Sequence, residues 1–117
     1  MDVTTNAYQI NEKILEIEKL SDRIEQAALE KANYIANYDR QIAVTILKLK
    51  NGLIPEFDGV EVKNLAANLI PIVAKGICYQ ESFHREMGEN NYKGLITQIE
   101  AHKAVLNGYQ SLFKVMQ

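Results

Sequence analysis

Residues 1–51 contain neither glycine nor proline, and apolar side chains recur through them at alternating steps of four and three. No other feature constrains the fold so strongly. Positions 10, 14, 17, 21, 24, 28, 31, 35, 38, 42, 45 and 49 carry Ile, Ile, Ile, Ser, Ile, Ala, Lys, Ile, Tyr, Ile, Thr and Leu. That is the spacing of a helical seam. Leu20, Ala27, Tyr34 and Leu47 widen it toward the broader face of a bundle helix. Thr5 or Asn6 is suited to cap the first free backbone N–H groups, and Asn51-Gly52 supplies a left-handed stop after the last turn. One helix over about residues 6–51 is predicted.

The same rhythm returns at Tyr92, Leu95, Ile99, His102, Leu106, Tyr109, Phe113 and Met116, which predicts a second arm over about residues 77–117. Gly88, Gly94 and Gly108 each cost roughly 1 kcal/mol relative to Ala in a helix interior, so each either admits a close neighbour or marks a bend. Between the arms, Gly52, Pro55 and Asp58-Gly59 punctuate a tip at residues 52–76. Leu53-Ile54 and Val60-Glu61-Val62 flank the Asp-Gly turn and are placed to pair as a very small hairpin. Asn64 fits the N-cap of a short helix from Leu65 to Ile70, and Pro71 either ends that helix or opens the next at its first turn. The expected fold is all-α and a single domain: a long antiparallel α-hairpin with a short helix and an irregular segment at its tip.

Asn37-Tyr38 in arm one echoes Asn91-Tyr92 in arm two. Counting equal numbers of residues back from Asn51 and forward from Ile77 sets Tyr38 level with Asn90, half a turn from Tyr92. A hairpin of two helices covers only one side of each apolar stripe, whereas four helices enclose a core. Completion of a bundle by oligomerisation, as a dimer, is therefore expected.

A chain of 117 residues with 47% hydrophobic and 24% charged content fits one folded domain and argues against disorder. Thirteen basic against fifteen acidic residues give a formal charge of −2, too even to indicate direct nucleic-acid binding. The single cysteine, Cys78, has no intramolecular disulfide partner, and the N-terminus lacks the basic start and apolar core of a secretion signal. A cytoplasmic protein is expected. The longest nearly uncharged apolar run, Leu65 to Ala74, is far short of the ~20 residues that span a bilayer, so no membrane partner is expected.

Glu81 and His84 form a Glu-x-x-His pair, but di-iron carboxylate bundles need two such pairs and further glutamates, so a solvated helix face is the simpler account. His102 lies on the seam, where a hydrogen-bonded histidine sets register more readily than it ligates a metal. Cys78 has no nucleophile motif around it and reads as a small buried residue. Ser82 and Ser111 lack a strand-turn-helix setting. Ala74-Lys75-Gly76 lacks the rest of a phosphate-binding loop. No catalytic residue, metal site or cofactor follows from these patterns.

The tyrosines are more suggestive. Tyr34 and Tyr38 share a helix face, with Arg40 close enough to offer a fork of donors. Packing within a bundle accounts for them; the functional alternative is a binding surface made by Tyr34, Tyr38, Arg40, Asn91, Tyr92 and Lys93. Aromatic rings beside cations suit a protein interface or a stacked nucleotide.

Three stretches carry a resemblance: Tyr38-Asp39-Arg40-Gln41-Ile42-Ala43 through Leu49-Lys50-Asn51-Gly52, Leu65-Ala66 with Ala74-Lys75-Gly76, and Asn91-Tyr92-Lys93 through Leu106-Asn107-Gly108-Tyr109-Gln110-Ser111. Over about residues 31–112 the chain resembles small phage and prophage proteins from replication and recombination gene clusters. Residues 53–63 depart from them, since those proteins have a shorter connection there. The resemblance implies a non-enzymatic helical protein of phage origin, with no catalytic residue to carry over. Such proteins include inhibitors of host defence, anti-CRISPR proteins among them, and recombination accessories. An inhibitor that blocks a defence protein or sequesters a nucleotide signal is the leading expectation, and an accessory contacting single-stranded DNA or its binding proteins the alternative.

Overall fold

The computed structural model describes residues 2–117. It is all-α apart from one two-residue strand pair. Helix α1 spans Val3–Lys50, strands β1 and β2 span Glu56–Phe57 and Val60–Glu61, and helices α2 and α3 span Ile70–Ile77 and Tyr79–Met116. α1 and α3 are the arms of the expected hairpin. The chain divides into two compact units: one is made by α1 up to Leu29 and α3 from Asn90 onward, the other by Glu30–Glu89.

α1 begins earlier than its sequence suggested. Asp2, rather than Thr5 or Asn6, is the cap: its Oδ1 accepts the Thr5 N–H at 2.7 Å, and its C=O accepts the Asn6 N–H at 2.9 Å. The Thr5 N–H holds the Asp2 carboxyl below its ordinary pKa. The cap therefore contributes above the unfolded-state value and is lost as pH falls through the depressed one. At the other end, the Gly52 N–H donates to Leu49 C=O and the Leu53 N–H to Lys48 C=O, with Gly52 at φ 68°. These two bonds form a Schellman stop.

In the unit formed by residues 30–89, the tip folds back on the end of α1. Leu49, Val62, Ile70 and Ala74 form its buried cluster, and Ile46, Phe57 and Val73 are among the residues packed on it. The Asp58-Gly59 turn has positive φ at both residues, which is the type I′ geometry of a two-residue hairpin loop. Such a loop pairs its immediate neighbours, so Phe57 faces Val60 and Glu56 faces Glu61. Leu53-Ile54, the expected partner strand, is left outside. Pro71 opens α2 within its first turn, and in place of the expected helix residues 65–66 are irregular and 67–69 form a turn. Gly76 does not break α2; it makes room for the Phe57 ring, whose Cε2 would lie 3.2 Å from an added Cβ.

The chain turns into α3 at Cys78, beside Thr45: Thr45 Oγ1 and Cys78 Sγ are 3.3 Å apart. Equal counting from Asn51 and Ile77 ignores the turns of α1 that α2 and the strand pair occupy. As a result Tyr38 lies opposite Arg85, not Asn90.

The other unit has its core at Leu20, Ala27, Leu95 and Ile99, with Ile17, Ile24 and Tyr92 against it. Two series from the sequence seam part company here. Leu20 and Ala27 are buried, while their neighbours Ser21 and Ala28 are exposed and Ile14 is 37% exposed. Leu47, expected to widen the stripe, is 59% exposed.

The arm-two glycines are not equivalent. A Cβ on Gly88 would lie 2.8 Å from Tyr34 Cδ2 and 3.3 Å from Lys31 Cα, whereas Gly94 and Gly108 face open space. Gly88→Ala should therefore destabilise by about 1–3 kcal/mol through overpacking. Gly94→Ala should stabilise by about 0.4–1 kcal/mol through reduced freedom of the unfolded chain. Equilibrium denaturation of the two variants checks the opposite signs.

Candidate functional site

Among residues 30–89, the inward side of the returning chain is Cys78 at the turn and Glu81, Arg85 and Gly88 of α3, all buried or half-buried. Against it lie the α1 residues singled out from sequence. Tyr38 is buried, with the Arg85 guanidinium carbon 4.4 Å from its ring centroid. Tyr34 is half-buried and stacks on His84, centroids 5.6 Å apart and planes at 27°. Arg40 is exposed. The rings of Tyr34 and Tyr38 are thus engaged across the hairpin by partners that spacing within α1 did not reveal.

Asn91, Tyr92 and Lys93 belong to the other unit. Tyr92 packs against the Leu20, Ala27, Leu95 and Ile99 cluster, and Asn91 and Lys93 are exposed. The Lys93 C=O accepts the Thr97 hydroxyl at 3.0 Å.

His102 is half-buried and reaches α1. Its Nδ1 is 3.0 Å from Glu16 Oε2 and 3.3 Å from Lys13 Nζ, and Lys13 also meets Glu16 at 3.2 Å. One ring nitrogen cannot serve both partners at once. Protonated at Nδ1 it donates to Glu16; unprotonated there, it accepts from Lys13. Either tautomer ties α3 to α1 at this level. Glu81 and His84 gain no third ligand: among the described residues, no three His, Cys, Asp or Glu side chains gather as a metal would require.

A surface outside the set named from sequence lies on the outer side of α3. Tyr79, Phe83 and Met87 are 65%, 59% and 48% exposed. Spaced four apart, they form one ridge along the helix. An open hollow of about 420 Å³ runs beside it, lined by Tyr79, Gln80, Phe83 and His84. The ring of Phe83 lies 6.0 Å from that of His84. The signal was present in the sequence, because extending the arm-two seam backward from Tyr92 gives 88, 85 and 81. That leaves 79, 83 and 87 on the far side.

The chain presents 8135 Å² of accessible surface. A folded monomer of its 13.3 kDa mass exposes about 6,450 Å², an excess here of about 1,700 Å². Among the described residues, no helix is long and apolar enough to cross a membrane. No protein-family model, curated protein or solved structure matches this chain.

The Tyr38–Arg85 contact should be measurable in a double-mutant cycle. Tyr38→Leu and Arg85→Met are expected to couple by about 0.5–2 kcal/mol in unfolding free energy. Coupling indistinguishable from zero would mean that the ring and the guanidinium stabilise the fold independently.

Proposed function

We propose that this chain is a non-enzymatic, phage-encoded protein that acts in the host cytoplasm as a homo-oligomer and inhibits a host defence system by covering part of a defence protein. The ridge of Tyr79, Phe83 and Met87 carries this reading. Aromatic residues and methionine are enriched where protein interfaces gain their binding energy, and each of these three projects from a helix as a rigid or adaptable anchor. Such a ridge meets a groove on its target, with Phe83 at the centre and the flanking hollow seating one of the target's side chains.

Blocking a protein suits this chain better than trapping a nucleotide. The rings of Tyr34 and Tyr38, which a base would stack on, already stack on His84 and Arg85. Direct contact with single-stranded DNA gains no support from a formal charge of −2.

Strains carrying single defence systems, CRISPR interference among them, should admit an otherwise excluded phage when the chain is expressed. Phe83→Asp should weaken target binding by about 30-fold or more and restore exclusion of the phage, while helicity and oligomer mass stay unchanged. Admission of the phage that survives Phe83→Asp would contradict the reading. So would nucleotide released on heat denaturation of the purified protein, or salt-sensitive retention on single-stranded DNA.

A further inference from the structure

We infer that the flank of the hairpin bearing Ile14, Ser21 and Ala28 is the docking surface for a second copy of this chain. A two-fold axis would cross α1 between residues 17 and 18 and α3 between residues 101 and 102. The inference rests on the reading of the chain as a homo-oligomer and adds the face and the symmetry.

α1 carries two heptad series one residue apart. Leu20 and Ala27 of the first are buried against Leu95 and Ile99. The second series, Ile14, Ser21 and Ala28, is turned about 100° away by the helix repeat and has no helix over it. Ile17 and Ile24, half-buried, border both faces. Beside the second series lies a hollow of about 290 Å³, lined by Ser21, Ile24, Ile96 and Ile99, with Glu100 and Lys103 also at its wall. Ridge and hollow lie on one flank, an arrangement that suits helices laid alongside in a four-helix bundle.

The charges identify the occupant. In a two-fold interface, each residue i that meets residue j of the partner is matched by j meeting i. Glu100 and Lys103 are oppositely charged, both are exposed, and among the described residues neither forms a salt bridge. An axis midway between them sets each against the partner's opposite charge, antiparallel. The same axis reaches α1 near the Glu16–His102 contact, which fixes the level of the two helices there. At that level, Ile14 falls beside the partner's Ser21, a large side chain over a small one, and the pairing repeats on the other side of the axis. Obligate homodimer interfaces bury about 1,000–2,500 Å² per chain; the excess of about 1,700 Å² belongs to the whole chain, and this flank is one part of it.

Charge reversal tests this directly. Glu100→Lys and Lys103→Glu each set like charges across the axis twice and should raise the dimer dissociation constant at least about tenfold. The double variant, Glu100→Lys with Lys103→Glu, should return it to near the wild-type value, with circular dichroism unchanged throughout. A wild-type chain that is monomeric at micromolar concentration by native mass spectrometry and sedimentation overturns this proposal together with the oligomer reading. A wild-type dimer indifferent to both single reversals overturns the face alone. As a second measurement, Ile14→Cys with Ser21→Cys in a Cys78→Ser background should give a covalent dimer under mild oxidation. Failure of that cross-link in a protein that is dimeric also overturns the face.

Discussion

A helix can turn only one narrow seam toward one neighbour, and α1 carries apolar side chains over more of its circumference than one neighbour covers. Much else in this molecule follows from that constraint. Between its start and Leu29, α1 gives Leu20 and Ala27 to α3 and leaves Ile14, Ser21 and Ala28 outside. The buried set packs the two helices against each other at Leu95 and Ile99. Ile14 and Ala28 of the uncovered set are apolar surface that a lone hairpin keeps in water, at roughly 25 cal/mol for each Å².

Residues 30–89 handle the same constraint differently, because here the tip supplies the missing neighbour. α2 and the strand pair lay Ala74, Ile70 and Val62 over Leu49, and that packing closes the end of α1. It also fixes where the chain turns back, at the contact of Cys78 with Thr45. From that point the phase of α3 is set: Arg85 meets Tyr38, Gly88 lets Tyr34 approach closely, and Tyr79, Phe83 and Met87 are turned outward. The outward ridge is thus a consequence of the register imposed by the tip.

The two long helices, the Asn51-Gly52 stop and the Asp58-Gly59 turn were legible because each depends on local chemistry: helical periodicity, a residue that accepts positive φ, and a two-residue loop. Register was not legible. Counting from the loop treats both sides as equal, whereas α2 and the strand pair pack beside the last turns of α1 and shift the return. The choice between Leu20 with Ala27 and Ser21 with Ala28 was hidden for a related reason, since a seam of alternating threes and fours accepts either series until the partner helix is in place. Tyr34 and Tyr38 were rightly placed on one face, but their partners His84 and Arg85 lie about fifty residues away in sequence and no spacing rule within α1 points to them. The outward ridge needed only that the seam of α3 be extended backward past Tyr92.

Together these features describe a chain with two uncovered faces, one bearing Ile14, Ser21 and Ala28 and one bearing Tyr79, Phe83 and Met87. Adjacent alanines on α1 give the most direct test of the division between faces. In a Cys78→Ser background, Ala27→Cys and Ala28→Cys are each exposed to a thiol-labelling reagent across a range of protein concentrations. Position 27 should be protected at every concentration, by α3 of its own chain, and position 28 should become protected only as protein concentration rises and a second copy covers it. Equal labelling of position 28 at all concentrations, or protection of position 27 that disappears on dilution, would contradict the division between faces.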